Sequence, residues 1–201
     1  MMEIWKDKVV LSLMQDTESN RNLLLNCPVE RFEDVFIVCR VVVGREEDRV
    51  NSVIVDNRLM YAMYTDVKEL FEMARNNTIR ILPPTLRSMQ EVLEGFGFFF
   101  SSDSEQVPMY IFGNKDNFLG AVNILYPDEL RKAGDRIGND FYILPSSIHE
   151  TILVPAGVDI CPRDLKQIVE SVNVEEVGEA DRLSDSVYIY TRENGKVRRI
   201  L

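Results

Sequence analysis

The chain has 201 residues, 45% of them apolar, and 33 Asp+Glu against 23 Lys+Arg give a formal net charge of −10. That apolar share excludes a disordered chain, and the length supports a core without metals or disulfides. The acidic balance disfavours nucleic acid, which is held mainly by Lys and Arg on its phosphates. The one basic cluster, Lys196, Arg198 and Arg199 with Arg192 upstream, reads as a solvated edge strand.

The first residues carry Glu3, Lys6, Asp7 and Lys8 and no long apolar stretch, so no signal peptide is read there. No window approaches a membrane-spanning length. Cys27, Cys39 and Cys161 are odd in number and lack metal-ligand spacing. Together these features predict a reducing cytoplasm and no membrane.

Val9 to Met14 reads as a strand, followed by the polar stretch Gln15 to Asn22 and the short apolar run Leu23 to Cys27, which Pro28 ends. Phe36 to Val43, mostly β-branched or aromatic, predicts a central buried strand with Cys39 as a buried free thiol. Gly44 to Asp48 reads as a turn. Ser52 to Val55 and Leu59 to Tyr64 are apolar runs joined by residues 56–58. Val67, Leu70, Phe71 and Ala74 share one helical face, with Asp66 and Glu69 in capping-box positions, so a helix is predicted from Val67 to Arg75, ended by Asn76-Asn77. Pro83-Pro84 forces an extended link. A second helix is predicted over Leu86 to Leu93, stopped by Gly95.

Residues 96–106 read as a linker or loop: Phe96 and the run Phe98-Phe99-Phe100, then the polar tract Ser101 to Gln106. Aromatics at this density belong either to a core strand or to an association surface. Beyond them, Met109–Phe112 and Phe118–Tyr126 flank a turn at residues 113–117. A helix follows over Asp128 to Ile137, with Pro127 at its start and Gly138 as its stop. Phe141–Leu144 and Thr151–Val154 are strands joined around Pro145-Ser146-Ser147, which places Ser147 and His149 at their junction. A fourth helix covers Pro162 to Val172. Ser186–Thr191 and Lys196–Leu201 form a hairpin around Asn194-Gly195.

Hairpin connections and irregular interleaving predict an α+β fold: an antiparallel or mixed sheet with about four helices mainly on one side. The chain divides into an N-terminal half (1–95), the 96–106 segment and a C-terminal ββαββαββ half (107–201), expected to form one unit.

Ser146, Ser147, His149 and Glu150 are the candidate catalytic residues, His149 being the only histidine. A nucleophilic reading needs the imidazole within hydrogen-bond reach of a serine hydroxyl and a third group to orient it. No G-x-S-x-G elbow surrounds these serines. The S-x-x-E spacing of Ser147 and Glu150 also suits a capping box that merely closes a turn, and this plainer reading is preferred. One His and three dispersed Cys make no zinc set, and neither a calcium loop nor a glycine-rich phosphate loop is present, so no metal and no cofactor is expected. The acidic run Glu175 to Asp181 reads as a solvated loop.

Tyr110 to Lys115, Gly120-Ala121 before Leu125-Tyr126-Pro127, Asp140 to Glu150, and Leu183-Ser184-Asp185 before Val187-Tyr188 resemble an uncharacterised clostridial or Firmicutes family, a domain of unknown function. Lys6 to Val10, Asn20 to Asn22, and Asn76-Asn77-Thr78 before Leu82-Pro83-Pro84 extend the resemblance to the first half; L-P-S-S-I-H-E is its most specific part. It implies a cytosolic bacterial domain and no activity. It also implies a further segment ahead of Lys6, so this chain is read as a shortened member or a fragment.

The leading expectation is a non-catalytic binding or interaction protein, with a protein partner or self-association left open. The alternative is a small-molecule hydrolase built on Ser146, Ser147, His149 and Glu150. A nucleic-acid-associated regulator acting through the C-terminal basic strand is third.

Overall fold

The computed structural model describes residues 3–46, 49–95 and 107–201, which form two antiparallel sheets and several helices, an α+β fold. After a short helix α1 (Glu3–Lys6), strand β1 (Val9–Gln15) pairs with the long strand β3 (Val35–Glu46). The other edge of β3 is shared by β2 (Val29–Phe32) and β4 (Arg49–Ile54), so β3 is central, as its apolar run predicts. Its pairing shifts register between Val42 and Gly44, a bulge, so the strand passes through Gly44 where a turn is expected from sequence. The polar stretch after β1 is helix α2 (Glu18–Leu23), and the run around Leu59 is helix α3 (Asn57–Ala62), capped by Asp56.

Helix α4 runs from Val67 to Ile81, past the expected stop at Asn76-Asn77. Its buried stripe, Leu70, Phe71, Ala74 and Thr78, lies against β1. The free edge of β1 explains the extension. The Leu11 N–H donates to Thr78 Oγ1 at 2.8 Å, and Asn77 Nδ2 donates to the Lys6 carbonyl at 2.8 Å. Polar residues that would otherwise favour a helix end are used here to satisfy backbone groups of the β1 edge and of the end of α1.

The larger sheet has six strands in the order β10 (Lys196–Arg199), β9 (Tyr188–Thr191), β7 (Phe141–Leu144), β8 (Thr151–Pro155), β6 (Tyr110–Asn114), β5 (Pro84–Ser88). Leu86 therefore lies in a strand, not a helix. The helix after it, α5 (Met89–Gly95), starts one turn later than expected. Ser88 Oγ accepts from the Glu91 N–H at 3.1 Å while the Glu91 carboxylate accepts from the Ser88 N–H at 2.7 Å, a reciprocal cap. The hairpin predicted between Met109–Phe112 and Phe118–Tyr126 does not form, because both edges of β6 are taken by β5 and β8. Residues Gly120–Leu125 instead make a 3-10 turn leading into α6 (Pro127–Ile137). The Asn194-Gly195 hairpin forms as predicted, with Gly195 at φ 64° and β10 as the exposed basic edge.

Side chains alternate across the larger sheet. Phe141, Ile143 and Leu153 join a cluster with Leu130 and Ala133 of α6, and with Val9, Leu11, Ile37 and Cys39 of the smaller sheet. Leu144 and Val154 face the other way, against Leu165 and Val169 of α7 (Pro162–Glu175). Helices α6 and α7 thus cover opposite faces rather than gathering on one side. Each fully buried Leu, Phe or Val contributes about 1.5–3 kcal/mol of transfer free energy. The 96–106 segment and its phenylalanines lie outside the described residues. Among the described residues no helix is long and apolar enough to cross a membrane.

Candidate functional site

The connection between β7 and β8, residues 145–150, is bound on two sides. On one side the N–H groups of Ile148, Leu183 and Ser184 donate to the carbonyls of Asp181, Ser146 and Pro145. On the other, Gly120 and Ala121 donate to the carbonyls of His149 and Ile148, at 2.8 and 3.2 Å. The approach at Gly120 leaves no room for a side chain: a Cβ there would lie 2.4 Å from the His149 carbonyl and 2.8 Å from Gly113 Cα. The G-N and G-A pairs near residues 113 and 120 and the L-P-S-S-I-H-E run therefore meet in space.

Asn114 shapes the intervening loop. Its Oδ1 accepts from the N–H groups of Asp116 and Phe118, and its Nδ2 donates to the Phe118 carbonyl. Leu119 is thereby held in the left-handed region at φ 55°, buried to 2% exposure. Such a conformation costs about 1–3 kcal/mol for a residue of this kind and persists only where its surroundings impose it. From that position the Leu119 N–H donates to His149 Nδ1 at 3.2 Å. Nδ1 must then be unprotonated, and the ring proton sits on Nε2, 3.3 Å from Asp181 Oδ1. The Phe118 ring lies 6.1 Å from the imidazole, centre to centre.

Nδ1 of His149 is thus occupied by a backbone amide, while Nε2 lies at ion-pair distance from the Asp181 carboxylate without a hydrogen bond to it. Ser147 lies beside His149, but its Oγ accepts from the His149 backbone N–H at 3.0 Å. No hydrogen bond joins the hydroxyl of Ser146 or Ser147 to the imidazole among the described residues. Ser146 is buried at 6% exposure, while Ser147 and Glu150 are half-buried. Ser147 does close a turn, but through the residue two ahead rather than three, because residue 150 runs into a strand and offers no helix start to cap.

His149 and Asp181 form a wall shared by two clefts. The larger, about 690 Å³, opens between the smaller sheet and the 145–150 loop and is lined also by Ser12, Arg40, Leu119 and Arg182. The smaller, about 530 Å³, lies on the other side, with Ser146, Ser147, Glu150 and Val172 on its lining. No cluster of three His, Cys, Asp or Glu side chains able to hold a metal occurs among the described residues.

Arg40 stands on β3 opposite Val10, half-buried, with Nε donating to Ser52 Oγ at 2.8 Å and Nη2 to the Ser52 carbonyl at 3.4 Å. Burial lowers its affinity for a proton, and no carboxylate lies within ion-pair distance of it among the described residues. A second polar centre is fully partnered. Asp34, in the turn between β2 and β3, accepts from Ser184 Oγ at 2.7 Å, Ser186 Oγ at 2.8 Å and the Tyr188 hydroxyl. Burial works to raise the Asp34 carboxyl, but the bonds from Tyr188, Ser184 and Ser186 outweigh it and hold the group below the ordinary carboxylate value. This network ties the smaller sheet to the lead-in of β9.

Three of these residues escape sequence reasoning. Asp181 lies in the acidic run that reads as a solvated loop. Arg40 registers only as an interruption of an apolar strand, yet a cation inside such a strand is itself a signal, since Arg is rarely buried without a partner. Asp34 gives none.

A protein-family model, for a family of unknown function, matches residues 1–192 of the chain. No curated protein and no solved structure matches it.

Proposed function

The chain belongs to this family, DUF5688, whose description assigns no activity, and from the geometry we propose that it is a non-catalytic binding protein, its ligand taken in the 690 Å³ cleft beside His149. The observation that carries the reading is the occupation of the His149 Nδ1 lone pair by the Leu119 N–H, which leaves the ring proton on Nε2, the nitrogen that faces Asp181. A general base needs a nitrogen free to receive a proton from its nucleophile. His149 instead acts as a fixed wall residue, and the cleft it lines is of the size that takes small molecules, about 300–1,000 Å³. The two halves work as one unit in this reading, supported by the Asp34 network and by the apolar cluster that draws on both sheets. The reading assigns the protein to a reducing bacterial cytoplasm, with three free cysteines and the family resemblance as its support.

The test is thermal denaturation against a panel of small polar compounds. A saturable rise in Tm is expected, and it is lost in Ser19→Trp, which places a large ring over the cleft from an exposed position. Hydrolysis of a p-nitrophenyl ester by the native protein, abolished in Ser147→Ala and His149→Ala, overturns the reading in favour of a hydrolase.

A further inference from the structure

We propose that Arg40 is the anchor of an oxyanion subsite in this cleft, binding the carboxylate or phosphate group of a small ligand; the proposal rests on the cleft being a ligand site. A guanidinium carries five N–H donors in a planar fork. Ser52 occupies Nε and one direction of Nη2, and among the described residues nothing accepts from Nη1. The group is flanked on its own sheet face by two apolar clusters. Phe36, Val38 and Leu24 lie to one side, and Val10, Val42 and Leu119 to the other.

That setting is costly for a lone cation. Burial of a charge is disfavoured unless it is paired, and here the desolvation is not offset by a carboxylate. Arg21, Arg31, Arg45, Arg75, Arg131, Arg136, Arg192 and Arg199 each have a carboxylate within 4.0 Å. Arg58, Arg80, Arg87, Arg163 and Arg198 lack one among the described residues but are exposed, and half-buried Arg182 donates to the Val177 carbonyl. Arg40 thus stands out by lacking a carboxylate while lying between apolar clusters. The contrast matters in a chain with a ten-charge acidic excess, where carboxylates are abundant. A half-buried, preoriented guanidinium at a cleft wall has the geometry for a bidentate oxyanion. Ser52 fixes the plane of the fork in advance, which lowers the ordering cost of binding. Glu179 and Asp181 line the cleft as well. Asp181 faces His149 Nε2, and although Arg182 on the same lining partly offsets them, the two carboxylates disfavour a ligand that is anionic over its whole length. The ligand class is therefore a small molecule with one oxyanion head and a neutral or cationic remainder.

The experiment is isothermal titration of the full chain with inorganic phosphate and, separately, with glycine as a carboxylate carrying an ammonium group. Sodium chloride at matched ionic strength serves as control. Saturable binding of at least one probe is expected, weakened about tenfold or more in Arg40→Met and unchanged in Arg131→Met, which removes an exposed cation elsewhere. Preference for phosphate or for glycine identifies the head group. If Arg40→Met fails to fold, Arg40→Lys decides: it keeps the charge but loses the fork, and binding must still fall. Equal binding by native protein and the Arg40 variant overturns the proposal, as does failure of both probes to bind the native chain. If both probes fail but a neutral compound binds and is lost in Ser19→Trp, the subsite falls and the cleft reading survives. If nothing binds, both fall.

Discussion

The Leu119 N–H donates to Nδ1 of His149 across 3.2 Å, and it does so from a left-handed backbone conformation. Because His149 is the only histidine, its ring nitrogens give one assignable pair of signals. For the neutral ring, long-range nitrogen–proton NMR is expected to show the proton on Nε2 and an acceptor-type Nδ1. The opposite tautomer removes both the hydrogen bond and the argument that the ring is not free to act as a base.

Gly120→Ala tests the close approach beneath that residue. The added carbon meets backbone atoms, the His149 carbonyl and Gly113 Cα, and neither can swing away as a side-chain end would. A loss of about 1–3 kcal/mol or more is expected on chemical denaturation. Gly138→Asn, at a helix C-terminus with φ 82° and no atom within 4 Å of a built Cβ, serves as the mild comparison. Equal costs for the two contradict the packing described.

Tyr188→Phe removes one hydroxyl from Asp34 and is expected to cost about 1.5–3 kcal/mol at neutral pH, the range for a hydrogen bond to a charged group. Since the folded Asp34 carboxyl lies below its ordinary value of 3.8, the stabilisation is present above 3.8 and is lost as pH falls through the lower folded value. The gap between native and Asp34→Asn stabilities should therefore narrow in acid. A gap that widens below pH 3.8 reverses the sign and refutes the network.

Thr78→Val keeps the shape of the side chain and leaves the Leu11 N–H without an acceptor in a buried position. A cost of about 1–3 kcal/mol is expected for the orphaned donor. A neutral effect on the denaturation midpoint means that the β1 edge is satisfied otherwise.

Thiol labelling of the native protein should proceed in the order Cys161, Cys27, Cys39, from exposed to fully buried. Burial also pushes the Cys39 thiol well above its usual range, which removes thiolate at neutral pH. Mass spectrometry of partially labelled protein reads the order directly, and early modification of Cys39 contradicts its place in the central strand.

Local pattern was enough for much of this fold. The β-branched run from Phe36, the Asp66 cap, the Pro127 start and Gly138 stop, and the Asn194-Gly195 turn each act within a few residues, and each stands where the sequence puts it. Ser147 and His149 fall at the strand junction for the same reason, since Pro145 interrupts a ladder whatever packs around it. Long-range partners decided the rest. Leu86 became a strand because β6 offered an edge, and Asn77 and Thr78 stayed helical because backbone groups of Lys6 and Leu11 needed their polar atoms. Segment 118–126 could not pair because β6 was already flanked on both sides. The settings of His149, Arg40 and Asp34 depend on Leu119, Ser52 and Ser184, between 12 and 150 residues away in the chain. Hydrogen bonds and burial act through space, so residues that read alike in sequence, a loop carboxylate or a strand arginine, acquire their different environments only when folding brings the partner or leaves it out.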